Sequence, residues 1–109
     1  MSLKNVFSKE LLKKIDLRDY TLVLTIDELM DSGYKADNLT IVENNENLDL
    51  VKEPSYVYGR EDWIVLTTLE EQHFVSYDTL VEVELEVSEE EALLLEKELQ
   101  DVIEPGAND

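Results

Sequence analysis

From Val75 to Val87 the apolar residues keep one parity. Val75, Tyr77, Val81, Val83, Leu85 and Val87 alternate with Ser76, Asp78, Glu82, Glu84 and Glu86. A period of two puts the two sets on opposite faces of a strand. The segment therefore predicts an amphipathic strand, bent near Asp78-Thr79, with Leu80 its one apolar departure on the polar side. Upstream, Tyr20 to Leu24 reads as a buried strand. Leu39 to Glu43 and Leu48 to Lys52 read as a pair joined by the hairpin loop Asn44-Asn45-Glu46-Asn47. Tyr56 to Tyr58, Asp62 to Leu69 and His73 to Tyr77 complete the strand-like runs.

Three stretches follow a helical period instead. In residues 8–16, Ser8 is an N-cap candidate, Phe7 and Leu12 stand at hydrophobic-staple positions, and Leu11, Leu12 and Ile15 share a face. Thr25 and Glu28 have capping-box spacing, and Gly33 follows the short helix predicted over 26–32. Ser88 and Glu91 repeat that spacing ahead of a last helix over 88–103. There Ala92, Leu95, Leu99, Val102 and Ile103 share one side, while Leu94 points away among acids. Strands joined by short turns predict an α+β fold, mainly an antiparallel sheet with an N-terminal and a C-terminal helix packed on one face. The 109 residues fit one domain, 1–109, with a short acidic tail at 104–109.

Composition narrows the chemistry. Hydrophobic residues make up 43% of the chain, enough for a packed core despite 33% charged residues. No cysteine is present, which removes disulfides, Cys-ligated zinc, iron–sulfur clusters and thiol nucleophiles. The sequence begins with no signal-like apolar stretch, and no run nears the ~18 apolar residues of a membrane helix. A cytoplasmic location is the expectation.

Neither GxxxxGK[ST] nor GxGxxG occurs, so nucleotide binding finds no support. His73 is the single histidine, and no nucleophile elbow marks a serine that could work with it. Glu43, Asn45, Asn47 and Asp49 alternate like oxygen ligands of a calcium loop. Counted from Glu43, however, Leu48 falls where that loop needs Gly and Pro54 where it needs Glu, so a hairpin is the better reading. No cofactor, no metal site and no catalytic residue is expected.

Charge is what remains. The net charge is −18, and it is unevenly spread: residues 1–19 carry five bases and three acids, whereas residues 61–109 carry sixteen acids and Lys97 alone. Such a surface repels nucleic acid and anionic membranes and attracts basic proteins. Glu82, Glu84 and Glu86 would stand ~6.8 Å apart along their strand. Glu90, Glu98 and Asp101 would extend the field onto the last helix. These six acids and Leu94 are the candidate partner-binding residues. The function expected is that of a non-enzymatic acidic binding protein covering a basic partner surface, as an inhibitor or nucleic-acid mimic. The alternative is a small structural or assembly subunit, phage- or operon-encoded, acting through homo-oligomerisation. A row of Glu falls short of the duplex's charge density, about one per 1.7 Å, and a Glu-rich outer face also serves to keep strand edges from pairing.

Overall fold

A computed structural model describes residues 3–103, with the side chains of all of these except Lys4 and residues 98–103. The chain is a mixture of helix and sheet, an α+β protein. Its elements in order are α1 (Leu3–Val6), α2 (Lys9–Leu12), β1 (Thr21–Thr25), α3 (Ile26–Ser32), β2 (Asn38–Ile41), β3 (Glu46–Asp49), β4 (Ser55–Val57), β5 (Arg60–Thr67), β6 (Gln72–Ser76), β7 (Leu80–Glu84) and α4 (Glu89–Ile103). The expected acidic tail at 104–109 lies outside the described residues.

Two antiparallel sheets form, where one was expected. The first has the order β1-β7-β2-β3 and the second is the meander β4-β5-β6. The run from Val75 to Val87 is accordingly two strands in different sheets. A turn breaks it: the Thr79 amide donates to the Ser76 carbonyl at 3.0 Å, and the Ser76 hydroxyl lies 2.7 Å from the Asp78 carboxylate. Three residues, 77–79, link the strands and leave the inward Val75 and Val81 an even number of positions apart, so one parity runs through both strands and hides the break.

In the first sheet β7 lies between β1 and β2. Leu22 faces Val83, Leu24 faces Val81, Ile41 faces Val81 and Leu39 faces Leu48. All seven of these side chains are buried, and Ile64 and Leu66 of β5 join the same core. Phe7, Leu11, Leu12 and Ile15 near the N-terminus, Leu29 of α3 and Leu95 of α4 complete it. Burying one such side chain contributes about 1.5–3 kcal/mol, so alternation of apolar and polar residues decides which face each strand turns inward.

The helical segments differ more from expectation. Ser8 caps α2, accepting from the Leu11 amide at 3.3 Å, and both staple residues, Phe7 and Leu12, are buried. The helix nevertheless ends at Leu12 rather than near 16. The amides of Lys14 and Ile15 then bond three residues back, to Leu11 and Leu12, in the tighter 3₁₀ manner. This tightening delivers the chain to the Asp16↔Thr21 bridge that opens β1. The expectation for 26–32 holds throughout. Thr25 and Glu28 form a reciprocal capping box, and Gly33 closes α3 at φ +79°, where a Cβ is disfavoured. No helix among the described residues is long and apolar enough to cross a membrane.

Candidate functional site

Glu82 and Glu84 owe their position to the register of β7. Val81 and Val83 turn into the core, so the residues between them must turn outward. Across the strand pairs, Glu84 faces Thr21, and Glu82 faces Val23 on one side and Thr40 on the other. Among the described residues, the side chains of Glu82 and Glu84 have no ion pair and no hydrogen bond, so their charges are directed at solvent.

Beyond Thr40 the face continues as an ordered polar ladder. The Asn38 and Asn47 amides bond each other reciprocally at 2.7 and 2.8 Å. Asn38 also donates to Asp49 at 2.6 Å, and Asn47 donates to Thr40 at 3.0 Å. These contacts account for Asn47 and Asp49, which the alternation with Glu43 and Asn45 had brought near a calcium pattern; they belong to a hairpin. Asn45 sits in its turn at φ +59°, and Glu46 donates its amide to the Asn44 side chain. At the other end of β7 the face turns apolar. Leu80 and Val42 meet there, with the Val42 amide donating to the Leu80 carbonyl at 3.1 Å, and both side chains are exposed, as is Val23.

The remaining candidates are placed unevenly. Glu86 lies just beyond β7 and is exposed, and its amide donates to the Tyr34 hydroxyl at 3.1 Å. Tyr34 in turn packs its ring at 5.6 Å from that of Phe7. Glu90 is exposed in the first turn of α4, whose start is held by the Glu91 amide donating to the Ser88 hydroxyl at 3.2 Å. Leu94 is half-exposed, as expected from its phase, but Leu93 beside it is more so, at 67%. The side chains of Glu98 and Asp101 lie outside the described residues.

Other chemistry finds a modest setting. The His73 imidazole lies 3.6 Å from the Glu71 carboxylate beside a hollow of about 300 Å³ that Glu46, Asn47 and Asp49 also line. A second hollow of about 290 Å³ lies between α3 and Pro54, near the Lys35–Glu53 pair at 3.6 Å. Both stand at the lower limit of small-molecule pockets, about 300 Å³. Among the described residues no three His, Asp or Glu side chains are grouped to hold a metal ion.

Tyr56 carries the largest electrostatic perturbation. Its hydroxyl bonds the Asp27 carboxylate at the start of α3, which pushes the phenol up to about 12; desolvation and the charges of Asp27 and Asp31 act in the same direction. At Asp16 the pKa is lowered, chiefly because its carboxylate accepts from the Arg18 amide at 2.9 Å.

One surface was missed from sequence. On the outward face of the meander stand Val57, Trp63, Val65 and Phe74. Phe74 has the same parity as Ser76, Asp78 and Glu82, but it precedes the alternation read from Val75 and was not weighed with it. With Leu80 it made two apolar residues on that parity, and this was the available signal.

No protein-family model, characterised protein or solved structure matches the chain.

Proposed function

We propose that the chain is a non-enzymatic binding protein whose acidic outer face on β7, continued by Glu86 and Glu90, covers a basic surface of another protein, as an inhibitor or nucleic-acid mimic does. One observation carries this reading: Glu82 and Glu84 sit on an interior strand, flanked by β1 and β2. Glutamates that guard against edge pairing belong on edge strands, so that explanation does not reach them. They are also free of internal partners, and a rigid sheet presents them at fixed spacing. The finer architecture expected from sequence, with an N-terminal and a C-terminal helix on one face of the sheet, belongs to the same proposal; it would leave the opposite, acidic face open.

The test is capture. The immobilised chain should retain a basic protein from its host's lysate and release it into salt. Reversing Glu82, Glu84 and Glu86 to Lys should abolish retention, while reversing Lys9, Lys13 and Lys14 to Glu should leave it intact. Retention that survives the glutamate reversal refutes the reading.

The second reading, an assembly subunit acting through oligomerisation, is favoured by the exposed pair Leu93 and Leu94 on α4. If it holds, Leu94→Glu turns an oligomer into a folded monomer in sedimentation, because the new charge would be buried unpaired. A wild-type monomer at ~100 μM ends it.

A further inference from the structure

An antiparallel sheet with one face on the core ordinarily keeps its other face polar. The β1-β7-β2-β3 sheet largely obeys, with Glu82, Glu84, Thr21, Thr40, Asn38, Asn47 and Asp49 outward. The meander does not. Its register places Trp63 opposite Ser76, Val65 opposite Phe74 and Ser55 opposite Val65. The outward centre is therefore Val57, Trp63, Val65 and Phe74, with Ser55, Thr67, Gln72 and Ser76 around it. Phe74 is 55% exposed, and Val57, Trp63 and Phe74 line a shallow hollow of about 280 Å³. The bulge between Tyr56 and Val57 brings Arg60 over the Trp63 ring at 5.1 Å. Beneath it, the Trp63 indole N–H has no hydrogen-bond partner among the described residues.

An apolar centre with a polar rim, anchored on Trp and Arg, is the anatomy of a protein interface rather than of a solvated face. Charge selects the occupant. Arg60 is the one base between Lys52 and Lys97, and its charge is already shared with Asp62 at 4.0 Å. Glu61 and Asp62 stand at one end of the face, and Glu70 and Glu71 at the turn at the other. A second copy would bring another −18 against this rim. Residues 104–109, EPGAND, contain no large apolar side chain to fill the centre.

We infer that the outward face of the β4-β5-β6 meander is a docking site for an extended, basic segment of another protein that lays apolar side chains on Phe74 and Trp63. The β6 edge gives that segment a ladder to join: β6 ends its sheet, so alternate amides and carbonyls point outward along it. The site rests on the proposed basic partner only for the sign of the occupant's charge.

Trp63 is the chain's single tryptophan, so its fluorescence reports this face alone. The probes are ten-residue peptides alternating Lys with Val, Lys with Ser, and Glu with Val. The Lys–Val peptide should move Trp63 emission to shorter wavelength, and the other two should leave it unmoved. Phe74→Ser, at an exposed site and checked for folding by circular dichroism, should weaken the Lys–Val peptide at least about tenfold. In the Glu82/Glu84/Glu86→Lys chain the preference for Lys–Val over Lys–Ser should persist. An unmoved Trp63, or equal affinity in Phe74→Ser, overturns the inference. Loss of the peptide in the glutamate reversal but not in Phe74→Ser would overturn it while leaving the acidic face in place. A Trp63 emission that depends on protein concentration without peptide, and stops doing so in Phe74→Ser, would make the occupant a second copy and overturn it too.

Discussion

Tyr56 and Asp27 stand 29 residues apart in the chain and are joined through one hydrogen bond. That bond holds the phenol in its protonated form up to about pH 12, against about 10 for a free tyrosine. The sign follows from linkage: a group whose folded pKa is raised contributes stability that is complete below its unfolded pKa. The contribution is lost as pH rises through the folded one. The side chain is half-exposed, so solvent screening limits the size of the effect. Ultraviolet titration should show one of the five tyrosines ionising near pH 12. Tyr56→Phe should remove that step, together with the wild type's loss of stability between about pH 10 and 12. A Tyr56 that titrates with free tyrosine contradicts the bond. Nothing in the sequence pointed to it, because neither residue belongs to a motif and the contact is made only when the meander folds against α3.

At the scale of elements, legibility followed the range of the interactions. The α3 cap is local: Thr25 and Glu28 are three residues apart, and spacing alone shows both halves of the box. Thr25→Ala should cost about 1 kcal/mol of stability, measured as a lower denaturant midpoint with unchanged slope; an unchanged midpoint would mean that the packing of Ile26 and Leu29 alone holds the helix. The β2-β3 hairpin was legible as a hairpin, but its turn falls at 42–45 rather than at Asn44-Asn45-Glu46-Asn47, with Glu46 and Asn47 already in β3. Harder to read was the assignment of strands to sheets. β6 and β7 share a parity and an uninterrupted alternation, yet tertiary pairing sends one to β5 and the other between β1 and β2. The end of α2 was also hidden, because Ile15 keeps the helical apolar phase after the chain has tightened to begin β1. In the candidate site the alternation fixed the outward aim of Glu82 and Glu84. It could not show that their strand is interior, which is what sets them apart from glutamates that guard an edge.

Over the whole molecule, charge and apolar surface are distributed over two sheets in different ways. The β7 sheet offers carboxylates on a largely polar face; the meander offers Phe74 and Trp63 on a face with acids at its two ends. Under the proposed reading, a basic partner would be drawn in by the long-range field, which is screened within ~8–10 Å near physiological salt, and then held by short-range contacts. The most direct measurement is the association rate constant of the captured partner as a function of ionic strength, for the wild type and for Glu82/Glu84/Glu86→Lys. The expected result is fast association at low salt that falls steeply as salt rises, and a slower rate with a shallower salt dependence in the reversed chain with its fold intact. A rate that ignores both salt and the reversal would contradict the account and leave the acidic face as a device for solubility.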